Sequence, residues 1–440
     1  MITPADNSTP VARALAASRA GRREEAGAII AGLVSECFGF AVATVAVASD
    51  RYSLNSMNGL LATEAGEEFF FKFHHEEGEE ATSDEYYQAE LLREAGFPVD
   101  SPVHASKVVG RQILLYRVRH DRRFADVSRG LDFSDNGADF RAAVTAQETL
   151  DAEIGVNYLK TLHASSPADC AKEPIHQLFH ARLVDRERPS ALGGRAQRFF
   201  FDGPFDLAGQ VLAAPALRAA RWTVNCVAYR DSIGTLLARS LALLAPARLA
   251  ACGAVVAHGD AHNANVWYEE SPGRVPRLVM FDPAFAGRHV PALLAEAKAT
   301  MHNIFAHPLW LYDAAAAAER FHASVDLHEE RIVVETDWTL SALRQAFLAS
   351  KAEQVWRPLL SALRDRGWLP ADWRETLRAA LFCCPTLVME LRAGGGGGHN
   401  PISSGIGLAV AVSLGSEPMS PAGDSVTALL DEIDPETRRR

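Results

Sequence analysis

The sequence predicts an α+β fold: an antiparallel sheet in the N-terminal region and a mainly helical remainder. Three observations predict it. Between residues 41 and 118, short runs rich in β-branched and aromatic residues alternate with polar, turn-rich breaks, as antiparallel strands do. From Phe140 onward, apolar residues recur at helical spacing over long stretches. Within that helical remainder, a hairpin is written by Val266-Trp267-Tyr268 and Arg277-Leu278-Val279-Met280-Phe281, around a break holding Pro272, Gly273 and Pro276.

In order, residues 11–37 read as one leading helix, and 41–49, 60–64 and 68–74 as strands, with 50–59 a polar turn. The third strand holds Phe69-Phe70-Phe71-Lys72-Phe73. Alternation puts Phe71 and Phe73 on one face and Phe70 with Lys72 on the other. Only six of the 44 Lys plus Arg residues are lysine, and Lys72 is the first. An ammonium among phenylalanines is costly without a partner. A helix over 84–95, closed by Gly96 and Pro98, offers Glu85 or Glu90 as that partner, although Thr82-x-x-Glu85 also reads as a capping box. Segments 103–109 and 112–118 form the next hairpin, and 120–139 a loop.

Helical spacing then covers 154–163, while 167–209 is irregular and reads as an insertion. Residues 222–250 read as helical, leading to a strand at Val255-Val256. Beyond Gly287, helices are expected over 291–305, 314–325, 334–349, 352–366 and 373–392. The five glycines 394–398 read either as a loop lining a pocket or as a flexible connector. Residues 406–414 resume as helix or strand.

A length of 440 residues suits two or three domains, or one two-lobed enzyme. The net charge of −11 argues against general nucleic-acid binding and would suit a cationic substrate, although acidic proteins are common. Of six cysteines only Cys383 and Cys384 are close, which fits neither a zinc knuckle nor an ordinary disulfide, so a reducing, cytoplasmic setting is expected. The early apolar run 38–48 is too short to span a membrane, and no cleavable leader is visible, so no membrane partner is expected.

The chemistry concentrates in His258-Gly259-Asp260-Ala261-His262-Asn263-Ala264-Asn265 and the hairpin behind it. With the turn centred between Gly273 and Arg274, Asn265 lies opposite Asp282. Pro276, which lacks a backbone donor, allows a slip by one. Either way an amide oxygen and a carboxylate meet at the open end of the hairpin, with Asp260 just before it. Mg²⁺ takes one or two carboxylates plus substrate phosphates, so Asn265 and Asp282 suit it as the protein's ligands. Asp260 is then placed to orient a hydroxyl and accept its proton.

His-Gly-Asp-x-His-x-x-Asn with an Asp-containing strand end resembles the aminoglycoside phosphotransferase and choline kinase group of small-molecule kinases. Gly259 stands where protein kinases have Arg. Asp282-Pro283-Ala284-Phe285-Ala286-Gly287 is similar to the metal segment of that group, with Ala284 where some relatives carry a second carboxylate. The resemblance implies a two-lobed protein-kinase-like fold, with residues 1–118 as N-lobe and 119–440 as C-lobe. It also implies ATP and Mg²⁺ as cofactors and a small-molecule hydroxyl acceptor. On this resemblance Asp260 is the base, Asn265 and Asp282 hold metal, and Lys72 clamps the α- and β-phosphates, braced by Glu85 or Glu90. The 50–59 loop covers phosphates with Ser53, Asn55, Ser56 and Asn58, and the backbone at Arg117, Val118 and Arg119 reads the adenine edge. His258 braces the loop, and His262 either contacts substrate or shapes the turn. His302, Asn303, His307, Trp310 and Tyr312 are acceptor contacts or core. His163 is expected to be structural.

Two other readings stay open. His258, Asp260 and His262 alternate, so on an extended strand they would share a face and make a metal-dependent hydrolase site. A non-catalytic kinase-like nucleotide-binding module is the third reading.

Overall fold

Five short strands pair as the alternating pattern demands: β1 (Val42–Val47), β2 (Ser56–Thr63), β3 (Glu68–His74), β4 (His104–Ser106) and β5 (Ile113–Arg117). They form one antiparallel sheet in the order β1-β2-β3-β5-β4. The structure is a computed structural model that describes residues 9–48, 56–74, 88–106, 108, 110–133, 137–306, 308–328, 330–420 and 423–436. Ser53, Asn55, Glu85 and His307 therefore lie outside the described residues.

The leading segment is two helices rather than one, Pro10–Arg19 and Arg23–Phe38. Gly21 separates them in the left-handed conformation, φ +76°. Their apolar side, including Val11, Ile30, Leu33 and Val34, packs on Met57, Leu61, Phe69 and Phe71 of the sheet. Each such side chain contributes about 1.5–3 kcal/mol when fully buried. The opposite face of the sheet presents Phe70, Leu114 and Tyr116. Lys72 shares that face, as the alternation in β3 predicts. β2 starts at Ser56, earlier than expected, and Asn58 lies opposite Lys72. Polar residues are tolerated there because they face a cavity rather than the apolar layer.

Helix Ala89–Ala95 ends on Gly96, φ +100°, whose N–H caps Arg93 and Leu92 carbonyls. The chain then pins itself to the later hairpin: Met280 N donates to Pro98 O (2.8 Å) and Asp100 N to Met280 O (2.7 Å).

The remainder is mostly helical, as predicted. Its core holds the 25-residue helix Gly137–Thr161 and the helices Trp373–Val388 and Pro401–Gly415. Asn400 and Ser403 close a capping box at the start of the last of these. A buried ion cluster ties helix to helix: Lys351 contacts Asp151 (2.6 Å) and Glu296, and the Tyr158 hydroxyl donates to Glu296 (2.8 Å). Segments expected to be helical around 222, 325 and 334 are instead strands. Arg221–Val224, Val227–Ala228, Ala323–His328 and Arg331–Thr336 make a four-stranded sheet. Their short β-branched cores (Trp222-Thr223-Val224, Ile332-Val333-Val334) abut alanine-rich helical runs, which hid their period. Among the described residues no single helix is long and apolar enough to cross a membrane; one bent pair, Ile233–Leu243 with Pro246–Cys252, passes on length and composition alone.

Candidate active site

The buried strand Ala254–Ala257 delivers the chain into the loop 258–265. Gly259 makes the turn, at φ +75°. A Cβ there would lie 2.6 Å from the Phe285 carbonyl oxygen, so only glycine fits the close approach. His258 turns inward, its Nε2 bonded to Phe281 O at 2.9 Å. Burial lowers its pKa, so the ring stays neutral and braces the loop against the hairpin. Asn265 Nδ2 donates to Asp260 O (3.0 Å), and Asn263 N donates to Asn303 Oδ1 (2.7 Å). The loop is thus fastened to its surroundings at two points and closed on itself by the Asn265 bond.

The hairpin pairs Val266–Glu269 with Arg277–Met280, Val266 opposite Met280. That register is one residue from the one expected. Asn265 faces Phe281, whose N–H donates to Asn265 O (2.9 Å). The reason is local: Gly273, φ +71°, centres a wider loop between Pro272 and Pro276. Asp282 follows the strand in the left-handed conformation, φ +58°. For a non-glycine residue this costs about 1–2 kcal/mol. The turn brings its carboxylate to Lys72, with Lys72 Nζ against Asp282 Oδ2. Lys72 is buried, while the Asp282 side chain is 27% exposed and both line a cavity, so water weakens the contact only in part.

Asp260 has two basic neighbours at one oxygen. Lys298 Nζ lies 2.5 Å from Oδ1, and His262 Nε2 lies 3.5 Å from it. His262 stacks on His302, ring centroids 5.1 Å apart. Burial holds His262 down to about pKa 4, and His302 well below its ordinary value, so both rings are neutral at pH 7. The π-helical turn Met301–Phe305 carries His302 and Asn303 to the loop.

One cavity of about 730 Å³ joins these features. Lys72, Asp260, Asn265 and Asp282 line it, as do Arg117, Val118 and Arg119 at the end of β5. His262, His302 and Tyr312 line it too, with Gly396 and Gly397. The glycine run is therefore a wall of the cavity, folded over Glu390, which accepts from Gly396 N at 2.9 Å. For a divalent cation the fit is chemical: the Asn265 amide nitrogen is held by Asp260 O, which leaves Oδ1, a hard oxygen, and Asp282 lines the same cavity.

Other expected site residues fall elsewhere. Glu90 is solvent-exposed and pairs with Arg93 (3.3 Å), since it lies on the outer side of its short helix. The described partner of Lys72 is Asp282 instead. Trp310 is core: it is fully buried and donates to Phe305 O (3.2 Å), and it does not line the cavity. His163 is structural as expected, with Nδ1 on Thr161 O (2.7 Å) and Nε2 on His289 (2.9 Å). His258, Asp260 and His262 form no metal-ligand group; among the described residues no cluster of three or more His, Cys, Asp or Glu is arranged to hold a metal. The hydrolase arrangement is not supported. Sequence reasoning missed Lys298, Arg182, Arg195 and Arg198, all of which line the cavity.

No protein-family model and no curated protein matches the chain. Solved structures similar to it include a spectinomycin phosphotransferase in complex with ADP and spectinomycin, at 12% identity and TM-score 0.37, covering 88% of this chain and 97% of that one. A macrolide 2′-phosphotransferase type I is similar at 12% identity and TM-score 0.31, covering 80% of this chain and 94% of its own. A macrolide 2′-phosphotransferase of Brachybacterium faecium is similar at 12% identity and TM-score 0.30, over 80% and 97%. At that distance the site has to be read from its own residues.

Proposed function

We propose that the protein is an ATP- and Mg²⁺-dependent small-molecule phosphotransferase with a kinase-like two-lobed fold, moving the γ-phosphate to an acceptor hydroxyl. One observation carries the reading: Lys72 from the sheet, Asp282 from the hairpin end and Asp260 from the preceding loop face one cavity. Phosphoryl transfer needs positioning and charge neutralisation more than covalent help, and this set supplies both.

The cavity-facing side of the sheet, with Leu60, Phe70 and Tyr116, suits a purine ring, and the Arg117–Arg119 backbone suits its edge. Lys72 binds phosphate oxygens. Asn265 and Asp282 would hold Mg²⁺, which supplies charge neutralisation of the phosphates when bound. Lys298 and His262 both fall on Asp260 Oδ1, so Oδ2 is the oxygen that accepts the acceptor hydroxyl's proton. Lys298 adds positive charge beside the transferring group. Phe285, whose ring lies 5.9 Å from Lys298 Nζ, helps shield that region from water.

The test is ADP formation from ATP and Mg²⁺ across a library of hydroxylated metabolites, wild type beside Asp260→Asn. The reading expects at least one acceptor to release ADP, with the variant slower by about 10²–10⁴-fold, the usual worth of a general base, and ATP affinity little changed. Wild-type turnover in Asp260→Asn would remove Asp260 from the base role.

A further inference from the structure

The cavity is built for the opposite charge from the one the acidic composition suggested. The whole cavity is lined by eight Lys and Arg side chains against four carboxylates, in a chain of net charge −11. Besides Lys72, Arg117, Arg119 and Arg123, the lining cations are Arg182, Arg195, Arg198 and Lys298, and two of the carboxylates are Asp260 and Glu390. Both carboxylates are engaged. Asp260 meets Lys298, and Glu390 meets Arg392 (3.4 Å) and the Gly396 amide (2.9 Å).

The arginines converge. Arg182 and Arg195 both direct Nη1 at Leu387 O, at 3.5 and 3.0 Å, and Arg195 also reaches Val388 O at 3.0 Å. Two guanidinium groups are thereby held at one spot, the C-terminal end of helix Trp373–Val388. Arg198 is the next residue on the same face of helix Gly194–Phe200, resting on the Phe199 ring 4.9 Å away. His302 lines the same cavity. His302, 7% exposed, has its Nε2 without a hydrogen-bond partner within the protein, while Nδ1 meets the Tyr312 hydroxyl at 3.1 Å. Burial and the neighbouring His262, Lys298 and Arg182 keep this ring neutral.

We propose that the acceptor carries, besides the hydroxyl to be phosphorylated, an anionic group, a carboxylate or a phosphate monoester, bound by Arg182, Arg195 and Arg198. The inference rests on the phosphotransferase reading of the same cavity. Guanidinium forks match both oxyanions bidentately. A cationic acceptor would meet like charge at the same wall. The protein's overall field repels anions, so the attraction is short-ranged and belongs to the cavity rather than to the surface.

The test is isothermal titration calorimetry on the protein saturated with ADP. The probes are gluconate and glucose 6-phosphate, with glucose and glucosamine as neutral and cationic controls. The expected result is that at least one anionic probe binds about tenfold or more tighter than both controls, since a hydrogen bond to a charged group is worth about 1.5–3 kcal/mol. Arg198→Glu should abolish that preference while ADP affinity holds. Arg195→Gln keeps a donor for the helix carbonyls and removes the charge, so its loss of preference is not a folding effect. Preference for gluconate alone assigns a carboxylate, and for glucose 6-phosphate alone a phosphate ester. Equal binding of all four probes, tighter glucosamine, or a preference that survives both variants overturns the inference. ADP binding without anion preference sinks this inference alone. An Arg198-dependent anion preference without ADP binding sinks the phosphotransferase reading instead.

Discussion

Gly259 and Gly273 offer a matched pair of substitutions, because their backbones are alike and their surroundings are not. Both lie in the left-handed region, at φ +75° and +71°. Alanine there costs about 1–2 kcal/mol, partly offset by about 0.4–1 kcal/mol from a stiffer unfolded chain. A Cβ on Gly273 meets nothing within 4 Å, so Gly273→Ala should show only that term, about 1 kcal/mol. A Cβ on Gly259 lies 2.6 Å from Phe285 O and 3.3 Å from Ile175 Cδ1. The first of these is backbone and cannot rotate away. Forcing it apart adds about 1–3 kcal/mol of overpacking strain. For 440 residues, unfolding entropy near 2 cal/mol/K per residue makes 1 kcal/mol worth about 1 °C. Differential scanning calorimetry should therefore find Gly259→Ala lower in Tm by about 2–4 °C and Gly273→Ala by about 1 °C. The shift also moves Asp260, the next residue, by a few tenths of an ångström. Since 1 Å of misplacement costs on the order of 10²-fold, ADP formation should fall roughly three- to tenfold in Gly259→Ala and hold in Gly273→Ala. Equal Tm values and equal rates for the two variants would refute the close-approach argument.

Two predictions concern stability away from the site. Lys351→Met strands Asp151 and Glu296 as buried carboxylates without their cation, and should cost about 3–5 kcal/mol in urea unfolding; a loss under about 1 kcal/mol would mean the cluster is hydrated. His176 and His399 are buried, and burial lowers each to about pKa 4 against an unfolded value of 6.5. Between those values the unfolded chain binds protons that the folded one refuses. Stability is therefore full above pH 6.5, falls as pH drops through the window, and levels off below about 4, by on the order of 3 kcal/mol per histidine. His176→Gln and His399→Gln should flatten the decline in unfolding free energy between about pH 7 and 4.5, and an unchanged slope would locate the titration elsewhere.

The site was legible where residue type and rarity spoke together. Lys72 stood out as an early lysine among phenylalanines, and it is buried on the face the alternation gave it. The same rarity argument would have found Lys298 and Lys351, two more of the six lysines, both buried. Arg182, Arg195 and Arg198 carried no such signal, because arginine supplies nearly all the positive charge and the convergence of Arg182 and Arg195 on Leu387 O is made by tertiary packing. The hairpin register slipped by one because proline and glycine chose a wider loop than a two-residue turn. Trp310 lies close in sequence to His302 but packs inward, a choice that neighbouring Gly407 makes possible: a Cβ there would lie 3.1 Å from its ring. Strands at 221–224 and 331–336 were lost between alanine-rich helices, where tertiary pairing overrides local propensity.

The account turns on triphosphate binding at the contact between Lys72 and Asp282, and calorimetric titration of ATP with Mg²⁺ into wild type and Lys72→Met measures it directly. A charge-assisted contact of about 1.5–3 kcal/mol predicts saturable binding by wild type and affinity weaker by roughly 10–150-fold in the variant. No heat of binding to wild type, or equal affinity in the two proteins, would contradict it.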